Sequence, residues 1–215
     1  MKKRLLDASW IMLILIIGFF IFSNKGKIIF VNLTVQHPLI MGFLKFAVLA
    51  TMGELLSRRL LDNEWRFRGL RYCQRAFVWG LLGVLITFVF SIYSAGVEEL
   101  VSKGLLSERI PLAFWCSFWM NILFAFPMMI IHRITDTLID RGLLFSKWPF
   151  MEVWYSIDWK NMWGFVAPSV LWFWIPAHTL TFSLKPEYRI IMAAALSICL
   201  GAILSFAKKR SSVSI

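Results

Sequence analysis

Long apolar runs, separated by short clusters of charge, set the pattern of this chain. A helix crosses a hydrocarbon layer in about 20 residues at about 1.5 Å per residue. Six runs meet or approach that length, at roughly 5–22, 38–57, 76–93, 111–131, 162–184 and 188–207. The last two are joined through Lys185-Pro186 and read as a helical hairpin, with Pro186 at a first-turn position and Arg189 one turn inside. The connecting stretches differ in character. Residues 61–74 are rich in Arg, and the connection from Glu98-Glu99 to Arg109 predicts a short amphipathic helix on the surface. Residues 147–163 set Trp148, Trp154, Trp159 and Trp163 among Glu152, Asp158 and Lys160, a mixture that suits the headgroup boundary and predicts an interfacial helix.

Composition turns those runs into membrane spans. At 59% hydrophobic and 16% charged residues, with a mean hydropathy of +0.71, the 215 residues are too apolar for a soluble domain. The expected fold is an all-α polytopic membrane protein forming one integral domain over 1–215. A net charge of +11 would suggest nucleic acid in a soluble protein, but here the charge sits in clusters where it orients spans. With six spans, sixteen Lys and Arg fall on the side of the N-terminus and six on the other, which puts both termini on the cytoplasmic side. Lys45 is the one basic residue left inside a span. Cys73, Cys116 and Cys199 are single and far apart, so neither a disulfide framework nor a metal site is expected. The basic N-terminus and first run imitate a signal peptide without a small-residue cleavage pattern, so an uncleaved first span is expected. The absence of an Arg- and Ser-rich leader favours a bacterial cytoplasmic membrane over an organelle membrane, mitochondrial inner or peroxisomal.

Two spans echo one another. Pro38, Gly53, Leu56, Ser57 and Arg58-Arg59 match Pro186, Gly201, Leu204, Ser205 and Lys208-Lys209, with the same offset from Pro to Gly. In the sixth span Ala193, Ser197, Gly201 and Ser205 recur at every fourth position, a ladder of small residues that predicts close helix packing, as does Gly53 in the second. Pro127 and Pro176 lie within the fourth and fifth spans and predict kinks.

These positions also carry a family resemblance. Trp172, Trp174 and Pro176 in one span, then Pro186, Arg189 and a Leu204-Ser205 exit followed by basic residues, resemble the C-terminal signature of the Mpv-seventeen and twenty-two-kilodalton peroxisomal membrane protein family. His178 and Thr181 stand near the places of the signature's Gln and Asn, and Leu200 stands where a Trp is usual. His37-Pro38, Gly53-Glu54 and Ser57 resemble an N-terminal block of the same family. The resemblance covers 37–209 and makes 1–36 an extra N-terminal span. It implies a small helical membrane protein, and some family members are described as weakly selective channels.

The chemistry that remains is intramembrane charge. Metalloprotease, nucleophile-elbow and phosphate-loop motifs are absent, and Glu98-Glu99 lacks the downstream elements of a prenyl endopeptidase, so neither an enzyme nor a cofactor is expected. Ionisable groups at membrane depth are costly and mark candidate sites. Lys45, His178, Thr181 and Arg189 form the candidate pore or vestibule, with Glu187 the acid nearby. The competing reading has Lys45 snorkelling to the headgroups and His178 bonded to a carbonyl freed by Pro176. Glu54 and His132 are inner polar candidates, and Glu54 can instead simply pair with Arg58 or Arg59. The expected function is a weakly selective channel or solute-permeation protein, the alternative a non-conducting membrane scaffold or homeostasis factor. The expected partners are the lipid bilayer, small anionic solutes and a second copy of the chain.

Overall fold

The computed structural model describes residues 2–65, 67 and 69–213, with side chains over 3–65, 67 and 69–203, and every regular element among them is helical. In chain order these are α1 (Lys2–Phe22), α2 (Asn24–Gln36), α3 (Pro38–Asp62), α4 (Tyr72–Ser102), α5 (Leu112–Met120), α6 (Phe126–Arg141), α7 (Phe150–Ser156), α8 (Trp159–Asn161), α9 (Ala167–Ser169), α10 (Ile175–Ser183) and α11 (Pro186–Val213). Six helical stretches are long and apolar enough to cross a membrane: Lys3–Phe22, Pro38–Asp62, Tyr72–Ser102, Leu112–Arg141, Trp159–Ser183 and Pro186–Ile203. They coincide with the six apolar runs. The chain is an all-α, multi-pass membrane protein.

Local chemistry sets the boundaries. The Ser23 hydroxyl accepts from the Gly26 amide at 3.2 Å and starts α2. Pro38 opens α3, where a first-turn proline loses no helical hydrogen bond. Gly142, at φ 78°, closes α6 in the left-handed conformation that glycine adopts freely. Two expectations change. Glu98 and Glu99 belong to the last turns of α4, which runs on to Ser102, and 103–111 forms turns, so there is no separate surface helix. The Lys103–Glu99 ion pair at 2.9 Å, one turn apart, supports that continuation. Residues 24–36, too polar to be read as a span, form α2, and in the tryptophan-rich segment the short α7 precedes α8, which opens the helical stretch Trp159–Ser183.

Three internal prolines share one backbone solution. Pro127, Pro168 and Pro176 each follow a π-helical turn, at Asn121–Ala125, Met162–Val166 and Val170–Trp174, and each lies two residues past its end. A proline has no N–H and its ring presses on the carbonyl four residues back. Widening the preceding turn moves that carbonyl away, so the fourth and fifth spans stay helical.

α3 is the central helix, packed between α4 and α11. The apolar core joins Phe46, Leu49 and Ala50 of α3 to Ile86 and Phe90 of α4, and to Ala193 and Ala194 of α11. Glycine lets these backbones touch. A Cβ on Gly83 would lie 2.3 Å from the Gly42 carbonyl oxygen, and one on Gly201 would lie 2.8 Å from that of Gly53. α5 and α10 form a second pair against this core, with Cys116, Met120 and Phe182 buried in it. α1 lies outside, with Ile14 and Ile17 on the core and the Trp10 indole donating to the Met52 carbonyl at 3.3 Å.

Candidate functional site

Polar groups gather at both ends of α3. At the end that carries the N-terminus of α1, three helices meet around Arg75, whose side chain is 1% exposed. Its Nη1 donates to Glu54 Oε1 at 2.6 Å and Asp136 Oδ1 at 2.9 Å, its Nη2 to Asp140, and its Nε to the Leu70 carbonyl at 2.9 Å. An Arg fork is the side chain that can satisfy so many acceptors at once. Around it, Arg58 bonds Glu54 at 3.2 Å, His132 Nε2 lies 3.6 Å from Asp136, and Arg71 donates to the Ile139 carbonyl. Trp79 packs on the His132 ring at 4.2 Å between centroids. Outside this cluster, Asp7 of α1 accepts from Arg59 at 2.8 and 2.9 Å and from the Trp65 indole at 2.8 Å.

At the other end lies a cavity of about 310 Å³. Pro38 and Pro186 both line it, so α3 and α11 both begin there, and fifteen residues further along Gly53 and Gly201 touch. The two helices that echo one another in sequence therefore run parallel and in register. Lys45, 6% exposed, reaches the cavity from α3, donates to Thr34 Oγ1 of α2 at 2.9 Å and sits 4.5 Å from the centroid of the Phe30 ring. Arg189 lines it from α11 and donates to Ser94 Oγ of α4 and to the Leu184 carbonyl, both at 3.0 Å. Among the described residues no carboxylate comes within ion-pair distance of either cation, and Glu187 is the one acid in the wall.

A third network is fully internal. His178 Nδ1 lies 3.1 Å from Asn121 Oδ1, the Asn121 amide donates to the Ser117 carbonyl at 2.8 Å, and Ser117 Oγ donates to the Ile175 carbonyl at 2.7 Å. Trp174 stacks on the His178 ring at 5.1 Å, and Thr181 Oγ1 donates to the Ala177 carbonyl at 2.9 Å. This ties α5 to α10 beside the Pro176 turn.

The candidates thus separate into three places. Lys45 and Arg189 share the cavity. His178 and Thr181 belong to the internal network, behind Phe90, which lines the cavity and meets the His178 ring edge-on at 5.8 Å. Lys45 is held by Thr34 rather than snorkelling, and the partner of His178 is the Asn121 side chain rather than a carbonyl freed by Pro176. Glu54 and His132 meet in the Arg75 cluster. Of the packing positions, Gly53 faces Ser197 and Gly201, Ala193 is buried, and Ser205 lies outside the described side chains. Pro127 and Pro176 follow the π-turns described above.

Sequence reasoning missed Arg75, Asp136, Asp140, Asn121 and Thr34. A signal existed for the first three: His132, Asp136 and Asp140, like Glu54 and Arg58 or Arg71 and Arg75, recur at a spacing of four and so share one helix face. Thr34 had no signal, because its helix was not predicted.

The fold and these buried charges define a multi-pass α-helical membrane protein with a cation-lined cavity at one end and a braced charge cluster at the other. No family model matches the chain, and neither a curated protein nor a solved structure is significantly similar to it.

Proposed function

We propose that this membrane protein lets small solutes cross its bilayer as a weakly selective channel, with the cavity at Lys45 as its mouth. One observation carries this reading. A buried ammonium faces a cavity inside a membrane span with no carboxylate within ion-pair distance among the described residues. Such a charge is costly where nothing charged ever visits it, and it favours anions over cations in a pore. The reading includes membership of the Mpv-seventeen family, a bacterial cytoplasmic membrane, no catalysis and assembly of several copies. The family rests on the motifs around 37–57 and 172–205 alone.

The scaffold reading has its own support. The Arg75 cluster and the glycine contacts brace helices, and a protein built only to hold its shape needs nothing more. Purified protein in planar bilayers separates the two. Reproducible unitary currents whose anion-over-cation permeability falls in Lys45→Met, read from reversal potentials under a salt gradient, support conduction. An electrically silent protein over many reconstitutions supports the scaffold.

A further inference from the structure

We infer that the cavity between α3, α4 and α11 is a binding site for an oxyanion, a phosphate or carboxylate, held between Lys45 and Arg189. This extends the permeation reading by naming the solute class. It does not need conduction.

The donors are already arranged. Lys45 has three N–H groups, and Thr34 accepts one of them at 2.9 Å. Arg189 uses Nε on Leu184 and one Nη1 proton on Ser94, which leaves its Nη2 donors without a partner among the described residues. Thr34 and Ser94 each accept from a cation, and neither hydroxyl proton has an acceptor among the described residues, so both can donate. Each cation thus comes with a hydroxyl that it orients, and two donors side by side suit an oxyanion.

Depth and field agree with this arrangement. Lys45 lies seven residues past Pro38 and Arg189 three past Pro186, which puts Lys45 roughly 10 Å and Arg189 roughly 4.5 Å inside the helix starts at about 1.5 Å per residue. An entering anion meets Arg189 first and Lys45 about 6 Å deeper. Both long helices point their N-terminal ends at the same space, adding positive potential from two directions. With Lys45 and Arg189 against Glu187, the wall carries a net charge of +1. The volume is at the lower end of small-molecule sites.

The same chemistry can come from a free anion or from an amphiphile headgroup, since Val35, Phe90 and Ile190 give the cavity an apolar side. Thermal melting of the purified protein in an uncharged maltoside, at constant ionic strength, tests the site with two probes. Inorganic phosphate or dodecyl phosphate should raise the melting temperature saturably, and dodecyltrimethylammonium should not. Stabilisation by inorganic phosphate identifies a free solute, and stabilisation by dodecyl phosphate alone identifies an amphiphile. Lys45→Gln and Arg189→Gln should each raise the half-saturating concentration about thirtyfold or more. If Lys45→Gln fails to fold, Ser91→Leu, which fills the cavity from an exposed position on α4, should abolish the shift with folding intact. The site is refuted if neither phosphate stabilises the wild type, if the ammonium amphiphile does so equally, or if the variants saturate as the wild type does. Binding without current would leave this site standing and overturn the channel, whereas current without binding would do the reverse.

Discussion

A buried charge is tolerated in one of two ways, and this chain uses both. Arg75 is compensated: three carboxylates and a carbonyl accept from it, so its desolvation is offset within the fold. Lys45 is not compensated by charge, having a hydroxyl and an aromatic face instead. The two residues therefore respond oppositely to neutralisation. Arg75→Gln strands Glu54, Asp136 and Asp140 against one another and should cost about 3–5 kcal/mol, the range for removing one partner of a buried ionic cluster. Asp140→Asn removes a partner whose side chain is 59% exposed, where water already screens the pair, and should cost less than about 1 kcal/mol. Denaturant titration in mixed micelles reads the difference. Similar losses in both would mean that Arg75 is not the hub of its cluster. Lys45→Gln, by contrast, removes a charge without orphaning another and should leave stability close to that of the wild type.

Helix packing here depends on where a Cβ would go. Gly201 and Gly96 are both helical, but a Cβ on Gly201 would meet the Gly53 carbonyl oxygen at 2.8 Å, and one on Gly96 would meet nothing within 4 Å. Gly201→Leu should therefore force α3 and α11 apart and cost roughly 1–3 kcal/mol or more, as overpacking does, while Gly96→Leu should be close to neutral. If both variants melt alike in detergent, the contact between α3 and α11 is not what holds the pair together. The same contact shows how much was legible in the sequence. The Pro38–Gly53 and Pro186–Gly201 echo could be read from residue spacing, because a fixed offset on a helix is a fixed height. That the two helices lie side by side could not, since helix partners are chosen by three-dimensional complementarity. The spans themselves were legible because hydropathy over about 20 residues is a property of the segment alone. α2 was not, because its apolar residues are too few for a span, and Phe30 is buried only by packing on neighbours such as Tyr188. Of the two vestibule residues that the cavity does not include, His178 is at the depth of Lys45 by its distance along the span, and Thr181 lies nearer the outer end. Depth says nothing about which side of Phe90 a residue lies on.

At the scale of the molecule, six spans put both termini at one end, and the paired charges fall on the two ends very unequally. The Arg75 cluster, the Asp7–Arg59 pair and the Lys3–Glu64 pair at 3.7 Å all sit at the end where α1 begins, and they tie α1, α3, α4 and α6 together there. At the opposite end, Lys45 and Arg189 face a cavity and have no ion-pair partner among the described residues. A bilayer sorts such a molecule by its excess of basic residues, which is retained on the cytoplasmic side. Applied to this fold, that rule predicts that the end carrying the Arg75 cluster faces the cytoplasm. Cysteines placed singly at Glu64 and Ser146, in an otherwise cysteine-free chain, should react with a membrane-impermeant maleimide only from the cytoplasmic side. One at Ser102, the last residue of α4, should react only from outside. All three positions are exposed, so failure to react reports the membrane and not burial. Labelling of Ser102 and Glu64 from the same side would break the six-span arrangement, because α4 would then not cross. Labelling of all three with sides exchanged would keep the fold and invert it, and the mouth of the cavity would open on the cytoplasm. In that case anions would be gathered from inside the cell, so the sidedness measurement also decides from which compartment the proposed oxyanion is drawn.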